Sequence, residues 1–222
     1  MASDRRRAGE NAAMRTALVD AAEDLIREQG YPAVTARNLA DKVELSRQIV
    51  HYYFHTMDDV FIAVIRKNAE RLKGELEKAA ASAEPLRALQ KLNRNPSRAI
   101  LAVELHTLAN RRPAVKAEVL KAAKEERELQ TRILSEHLQQ RNITPGMPPV
   151  VATILLTSLA QALAMESAIG MRNGHAETLG FVDACLSAFA EGGDAPFLAA
   201  TDAGAGAETK AKARTAPSRT KK

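Results

Sequence analysis

Leu18, Ala21, Ala22, Leu25 and Ile26 recur at i, i+3, i+4, i+7 and i+8, the stripe of an amphipathic helix. Gly30 stands where a helix-ending glycine belongs, and Pro32 blocks an immediate restart. Thr35 opens a second, short helix whose inward positions are Leu39, Ala40 and Val43. Ser46 opens a third. Thr56 opens a fourth, with Asp58 and Asp59 favourably placed in its first turn. The fourth helix is long: Val60, Phe61, Val64, Ile65, Leu72 and Leu76 keep helical spacing to about residue 80. A break over 81–85 precedes a short helix that ends at 93–97. Residues 98–111 form an apolar helix, and Pro113 begins a charged amphipathic one that runs to Arg141. The breaker over 144–149 leads to a last pair of helices, at about 149–171 and 176–191. No period-two pattern occurs, so the expected fold class is all-α.

The two helices in 35–54 are too short to stand alone, because nucleating a helix is costly. Such a pair with a tight turn between them reads as a helix-turn-helix, which presents its second helix to the DNA major groove. This divides the chain into a basic flexible arm (1–12), a helix-turn-helix domain (13–55), a helical ligand-binding and dimerisation domain (56–191) and a disordered basic tail (192–222).

Composition changes that picture only modestly. Hydrophobic residues make up 45% of 222, enough for a sizeable core, while aromatics are 4% and Trp is absent. The single Cys185 cannot form an intrachain disulfide, and Arg5-Arg6-Arg7 lacks the apolar run of a signal peptide, so a cytoplasmic setting is expected. The net charge is +5, yet residues 1–55 hold eight basic and eight acidic side chains. Attraction to phosphate must therefore come from placement: acids gather on 20–28 and can face away from DNA, while bases lie on the arm and the helix-turn-helix. In 194–222 six basic residues outnumber three acidic ones. The tail reads as a solvated segment or, more sharply, as a weak non-specific DNA tether.

The order and spacing of Ala22, Leu25, Gly30-Tyr31, Thr35, Leu39, Ala40, Val43, Leu45-Ser46-Arg47, Val50-His51-Tyr52-Tyr53-Phe54 and Thr56 resemble the N-terminal domain of the TetR family of transcriptional regulators over about 13–66. The remainder, about 85–191, resembles the family in architecture only. The resemblance implies an N-terminal three-helix DNA-binding domain and a C-terminal helical dimerisation and ligand domain. It further implies a homodimer whose ligand moves the fourth helix, spreads the DNA-reading heads and releases a palindromic double-stranded operator. Several positions depart from the pattern. Glu44 stands where Gly is common, at a cost if the turn needs positive φ. Gln48 and Ile49 replace small residues, His51 replaces a frequent Tyr, and Met57 replaces a frequent Lys that would contact phosphate.

The DNA-contacting candidates are Thr35, Arg37, Ser46, Arg47, Gln48, His51 and Tyr52. Arg47 can bind guanine O6 and N7, and Gln48 adenine N6 and N7, unless both meet phosphate instead. Thr35 offers its hydroxyl and helix N-terminal amides to a phosphate, and Arg37 follows in the same turn. By the resemblance, His51 and Tyr52 touch phosphate or sugar, while Tyr53 and Phe54 pack the core. Arg5-Arg6-Arg7 reads as a disordered arm or as a minor-groove arm.

Glu104 and His106 interrupt one apolar helix, and Gln161 and Glu166 another. Buried polar groups need partners, so these residues either bond internally or orient a ligand in a pocket that Phe61 and Met165 help to line. Residues 149–165 are nearly all apolar but fall short of the ~20 needed to cross a membrane. The expected role is a helix buried on most sides in a dimer bundle with the last helix. No metal spacing, catalytic triad or phosphate loop is present, so neither a cofactor nor an enzyme is expected. The expected function is a repressor released by a small, partly apolar effector. The alternatives are a DNA-binding protein of the same fold that works without an effector, through protein partners or as an architectural factor, and a helical binding or catalytic protein whose helix-turn-helix is vestigial.

Overall fold

The computed structural model describes residues 2–143 and 147–191. They form α1 (Ala2–Gln29), a 3-10 turn (Tyr31–Ala33), α2 (Ala36–Lys42), α3 (Arg47–Tyr53), α4 (Met57–Ala80), α5 (Pro85–Asn93), α6 (Pro96–Ala109), α7 (Pro113–Gln140), α8 (Pro149–Ala168) and α9 (His175–Glu191). Among the described residues no strand occurs. The expected tail over 192–222 lies outside them.

The helix starts are written locally. Prolines occupy the first position of α5, α6, α7 and α8, where a missing N–H costs nothing. Thr56 and Asp59 form a reciprocal cap on α4: Thr56 Oγ1 accepts from the Asp59 N–H at 3.2 Å, and Asp59 Oδ2 accepts from the Thr56 N–H at 2.8 Å. Asn95 Oδ1 accepts from the N–H groups of Ser97 and Arg98 and caps α6.

α1 corrects one expectation. It begins at Ala2, so residues 2–12 continue the helix instead of forming a flexible arm. The reason is local: Ala, Arg and Glu, good helix formers, make up most of the segment, and Gly9 is its weakest position. Asn11 also gives the extension a tertiary anchor, since its Oδ1 accepts from Tyr53 Oη at 3.0 Å.

Two cores stack along α4 and α7. The first joins Leu18, Ile26, Leu39, Val50, Phe61 and Val64 to Leu101, Leu105, Leu108 and Val115 of α6 and α7. The expected domain boundary at residue 56 thus runs through a shared core. The second core joins Leu76, Leu86, Leu89, Ile133, Leu134 and Leu138 to Val182 and Leu186 of α9.

α8 differs from expectation twice. It is 20 residues long and apolar enough, by length and composition, to cross a membrane. It is also not buried on most sides within this chain. Thr153, Ala160 and Ala164 are buried, while Val151, Ile154, Leu155, Met165 and, just beyond the helix, Ile169 are exposed along one side.

Candidate nucleic-acid interface and inter-helical cleft

α2 and α3 are held by what they bury. Leu39 and Ala40 anchor α2, Val50 anchors α3, and Phe54 closes the unit behind it. Thr35 Oγ1 accepts from the Asn38 N–H at 3.1 Å, and Asn38 Nδ2 donates to the Ala33 carbonyl at 2.8 Å, which fixes the start of α2. In the turn, Glu44 adopts φ 56°, and the Leu45 N–H donates to the Ala40 carbonyl at 2.9 Å. The turn therefore does need the left-handed conformation. Ser46 holds the N-cap position of α3 but makes no side-chain cap bond. Its hydroxyl is exposed.

All seven sequence candidates are exposed: Thr35, Arg37, Ser46, Arg47, Gln48, His51 and Tyr52. Arg47, Gln48, His51 and Tyr52 fall at i, i+1, i+4 and i+5, one face of α3. Tyr52 is 70% exposed, and its ring stands edge-on to Tyr53 with centroids 5.0 Å apart. Arg37 sits 3.7 Å from Asp41, an exposed pair of little energy that a phosphate can displace. Behind α3, the Arg15 guanidinium lies 4.9 Å from the centre of the Phe54 ring. Sequence reading missed Asn11 and Arg15 because their partners are 42 and 39 positions away, with no local signal.

A second feature lies behind this head. A cleft of about 1100 Å³ opens between α4, α6 and α7, with the cleft-side ends of Glu23 and Arg27 from α1 at its margin. Leu72, Leu76, Leu101, Leu105 and Leu129 line its apolar part. Charged and neutral polar side chains, with small apolar ones between them, line the rest. Arg66 makes two hydrogen bonds to Glu118, at 3.0 and 2.8 Å, and Arg98 pairs with Glu126.

Glu23 joins cleft and head. It is 4% exposed, and Arg27, Lys67 and Arg71 all donate to its carboxylate. Burial alone would raise its pKa, but the hydrogen bonds from Lys67, then Arg27 and Arg71, win and hold it at about 2. Lys67 also donates to Asp20 at 2.6 Å, and Arg27 to the Ser97 carbonyl at 2.6 Å. Of the acids of 20–28, Asp20 and Glu23 clamp α1 to α4.

Of the six ligand candidates, His106 alone lines the cleft, and its Nδ1 donates to the Ala102 carbonyl at 2.6 Å. Phe61 is buried in the first core, with the Arg112 guanidinium 5.6 Å from its ring centre. Glu104 Oε2 accepts from the Tyr31 N–H at 2.8 Å and ties α6 to the head. Gln161, Met165 and Glu166 lie on α8, which contributes nothing to the cleft. Glu166 instead accepts from His175 Nε2 at 2.8 Å across the bend into α9. Glu104, His106 and Glu166 thus take the internal-bond alternative within the chain. The cleft residues sit on faces whose charge looks like ordinary surface.

Residues 18–64 match the family model described as bacterial regulatory proteins, tetR family. No curated protein matches the sequence. The fold is similar to that of several solved structures. A protein from Saccharomonospora viridis crystallised in complex with choline has 16% identity and a TM-score of 0.63, over 73% of this chain and 88% of that one. The transcriptional regulator FadR from Bacillus subtilis, in complex with stearoyl-CoA, has 17% identity and a TM-score of 0.54, over 69% and 88%. A TetR transcription regulator from Haloarcula marismortui has 19% identity and a TM-score of 0.59, over 71% and 87%.

Proposed function

Since the N-terminal domain of this chain belongs to the tetR family of bacterial regulatory proteins, we propose that the protein is a homodimeric, DNA-binding transcriptional repressor. It acts in the cytoplasm on a palindromic operator and leaves it when a small molecule occupies the cleft. The observation that carries this reading is the exposed face of α3, where Arg47, Gln48, His51 and Tyr52 project from a helix anchored by buried Val50. Arg47 and Gln48 read base edges, Thr35 and Arg37 take phosphate, and Ser46, His51 and Tyr52 complete the backbone contacts.

The effector reading rests on the cleft. Fold relatives bind choline and stearoyl-CoA, and a cavity of about 1100 Å³ is ample for a small molecule. A protein working without an effector would be favoured by a closed core, which the cleft argues against. A vestigial head is argued against by the turn itself, which forms even with Glu44 at φ 56°. Dimerisation covers the exposed apolar side of α8, together with Phe181 on α9, by a second copy of the same surface.

The test is DNA binding by the purified protein. Arg47→Ala loses about 1–3 kcal/mol and relaxes specificity at one position of each half-site. A uniform loss with a shallower salt slope would put Arg47 on phosphate. A dimer that ignores every promoter fragment at low salt, its own included, would refute the reading.

A further inference from the structure

The cleft carries chemical information beyond its size, and the following rests on reading it as the effector site. Part of its charged lining is paired, Arg66 with Glu118, Arg71 with Glu23 and Arg98 with Glu126, and the last of these pairs is incomplete. Arg98, at the start of α6, gives Nη2 to Glu126, but its Nη1 is buried and has no hydrogen-bond partner among the described residues. A buried guanidinium nitrogen left without an acceptor costs stability and calls for an explanation. The neighbouring cluster gathers further cations at this end of the cleft, although the lining as a whole carries as many acids as bases. Arg27, Lys67 and Arg71 converge on Glu23, and of the nearby acids Asp20 alone shares Lys67. The network joins Arg98 through the chain itself, since Arg27 also donates to both the carbonyl and the hydroxyl of Ser97. Arg71 is 45% exposed and reaches the cleft.

We infer that this end of the cleft receives the anionic group, a carboxylate or its equivalent, of a partly apolar effector, with Arg71 and the Arg98 guanidinium, which turns its unpartnered nitrogen to the ligand, as donors. The tail then lies along Leu72, Leu76, Leu101 and Leu129. A carboxylate is a planar acceptor that suits a guanidinium, and charge-assisted pairs of this kind are the strong ones. The arrangement also assigns a route to the head. Arg71 donates to Glu23 at 3.0 Å, and Glu23 is on α1. An anion that engages Arg71 competes with Glu23 and loosens the clamp between α1 and α4.

Three probes that share one tail test this by calorimetry on the full-length protein: dodecanoate, dodecan-1-ol and dodecyltrimethylammonium, all below their self-association range. Dodecanoate is expected to bind at least about tenfold more tightly than the other two. Arg98→Gln should erase that preference and leave the alcohol unchanged. Glu126→Gln removes the negative charge from Arg98's partner and should widen the preference, which a merely structural Arg98–Glu126 pair would not do. Ala102→Phe, which fills the cleft, should weaken all binding. Equal or tighter binding of the alcohol or the ammonium overturns the anion assignment, as does a preference that survives Arg98→Gln. If Ala102→Phe blocks that binding, the cleft still stands as the effector site. If no probe binds, or dodecanoate binding ignores Ala102→Phe, both readings fall.

Discussion

Glu44 places a charged, exposed side chain at φ 56°, in the turn that sets the angle between α2 and α3. The left-handed region costs an L-residue roughly 1–2 kcal/mol, part of which glycine would give back as backbone entropy. Glu44→Gly is therefore expected to stabilise the protein by about 1 kcal/mol, read as a higher urea midpoint with an unchanged slope. A drop in midpoint would mean that the Glu44 side chain contributes something its exposure hides. The resemblance marked this position, since glycine is common there, and the structure supplies the positive φ that the sequence left conditional. Phe61 is the opposite case. Its helical spacing marked it as inward-facing, and only the packing of Leu101, Leu105 and Leu108 around the same core separates core from pocket.

At the scale of elements, α1 and α4 are joined by an ionic clamp that no single helix encodes. Glu23 titrates at about 2, below the ordinary 4.5, because three cations outweigh the effect of burial. Its folded-state pKa is depressed, so its contribution is fully present above about pH 4.5 and is lost as pH falls toward 2. The shift corresponds to roughly 3 kcal/mol. Glu23→Gln should remove most of that at neutral pH and leave a flatter stability profile between those pH values, as followed by thermal melting. A variant profile parallel to wild type would place the acid sensitivity elsewhere. Glu104 works similarly between α6 and the head, through the Tyr31 N–H. Both residues looked ordinary in the sequence: Glu23 an acid on a charged helix, Glu104 a polar break in an apolar one. Apart from Arg27, four positions on, their partners lie 44 to 73 positions away, beyond any local pattern.

For the whole molecule, the open question of surface chemistry centres on α8 and α9. Leu155 is 56% exposed, Ile169 82% and Phe181 50%, large apolar side chains that a partner surface would cover. The proposed dimer predicts light scattering at twice the 24.0 kDa chain mass and conversion to monomer by Leu155→Glu. A wild-type monomer that instead sediments with lipid vesicles would assign the same face to a membrane. Helix positions, their capped or proline-led starts, the inward stripes and the exposed face of α3 were all determined by the sequence alone. Each depends on neighbours within one or two helical turns, where period and backbone chemistry suffice. The core shared across residue 56, the cleft between α4, α6 and α7, and the Glu23 clamp were decided only by tertiary structure. Each depends on which faces meet after the chain has closed long loops, and charge or apolarity along a single helix does not say which faces those will be.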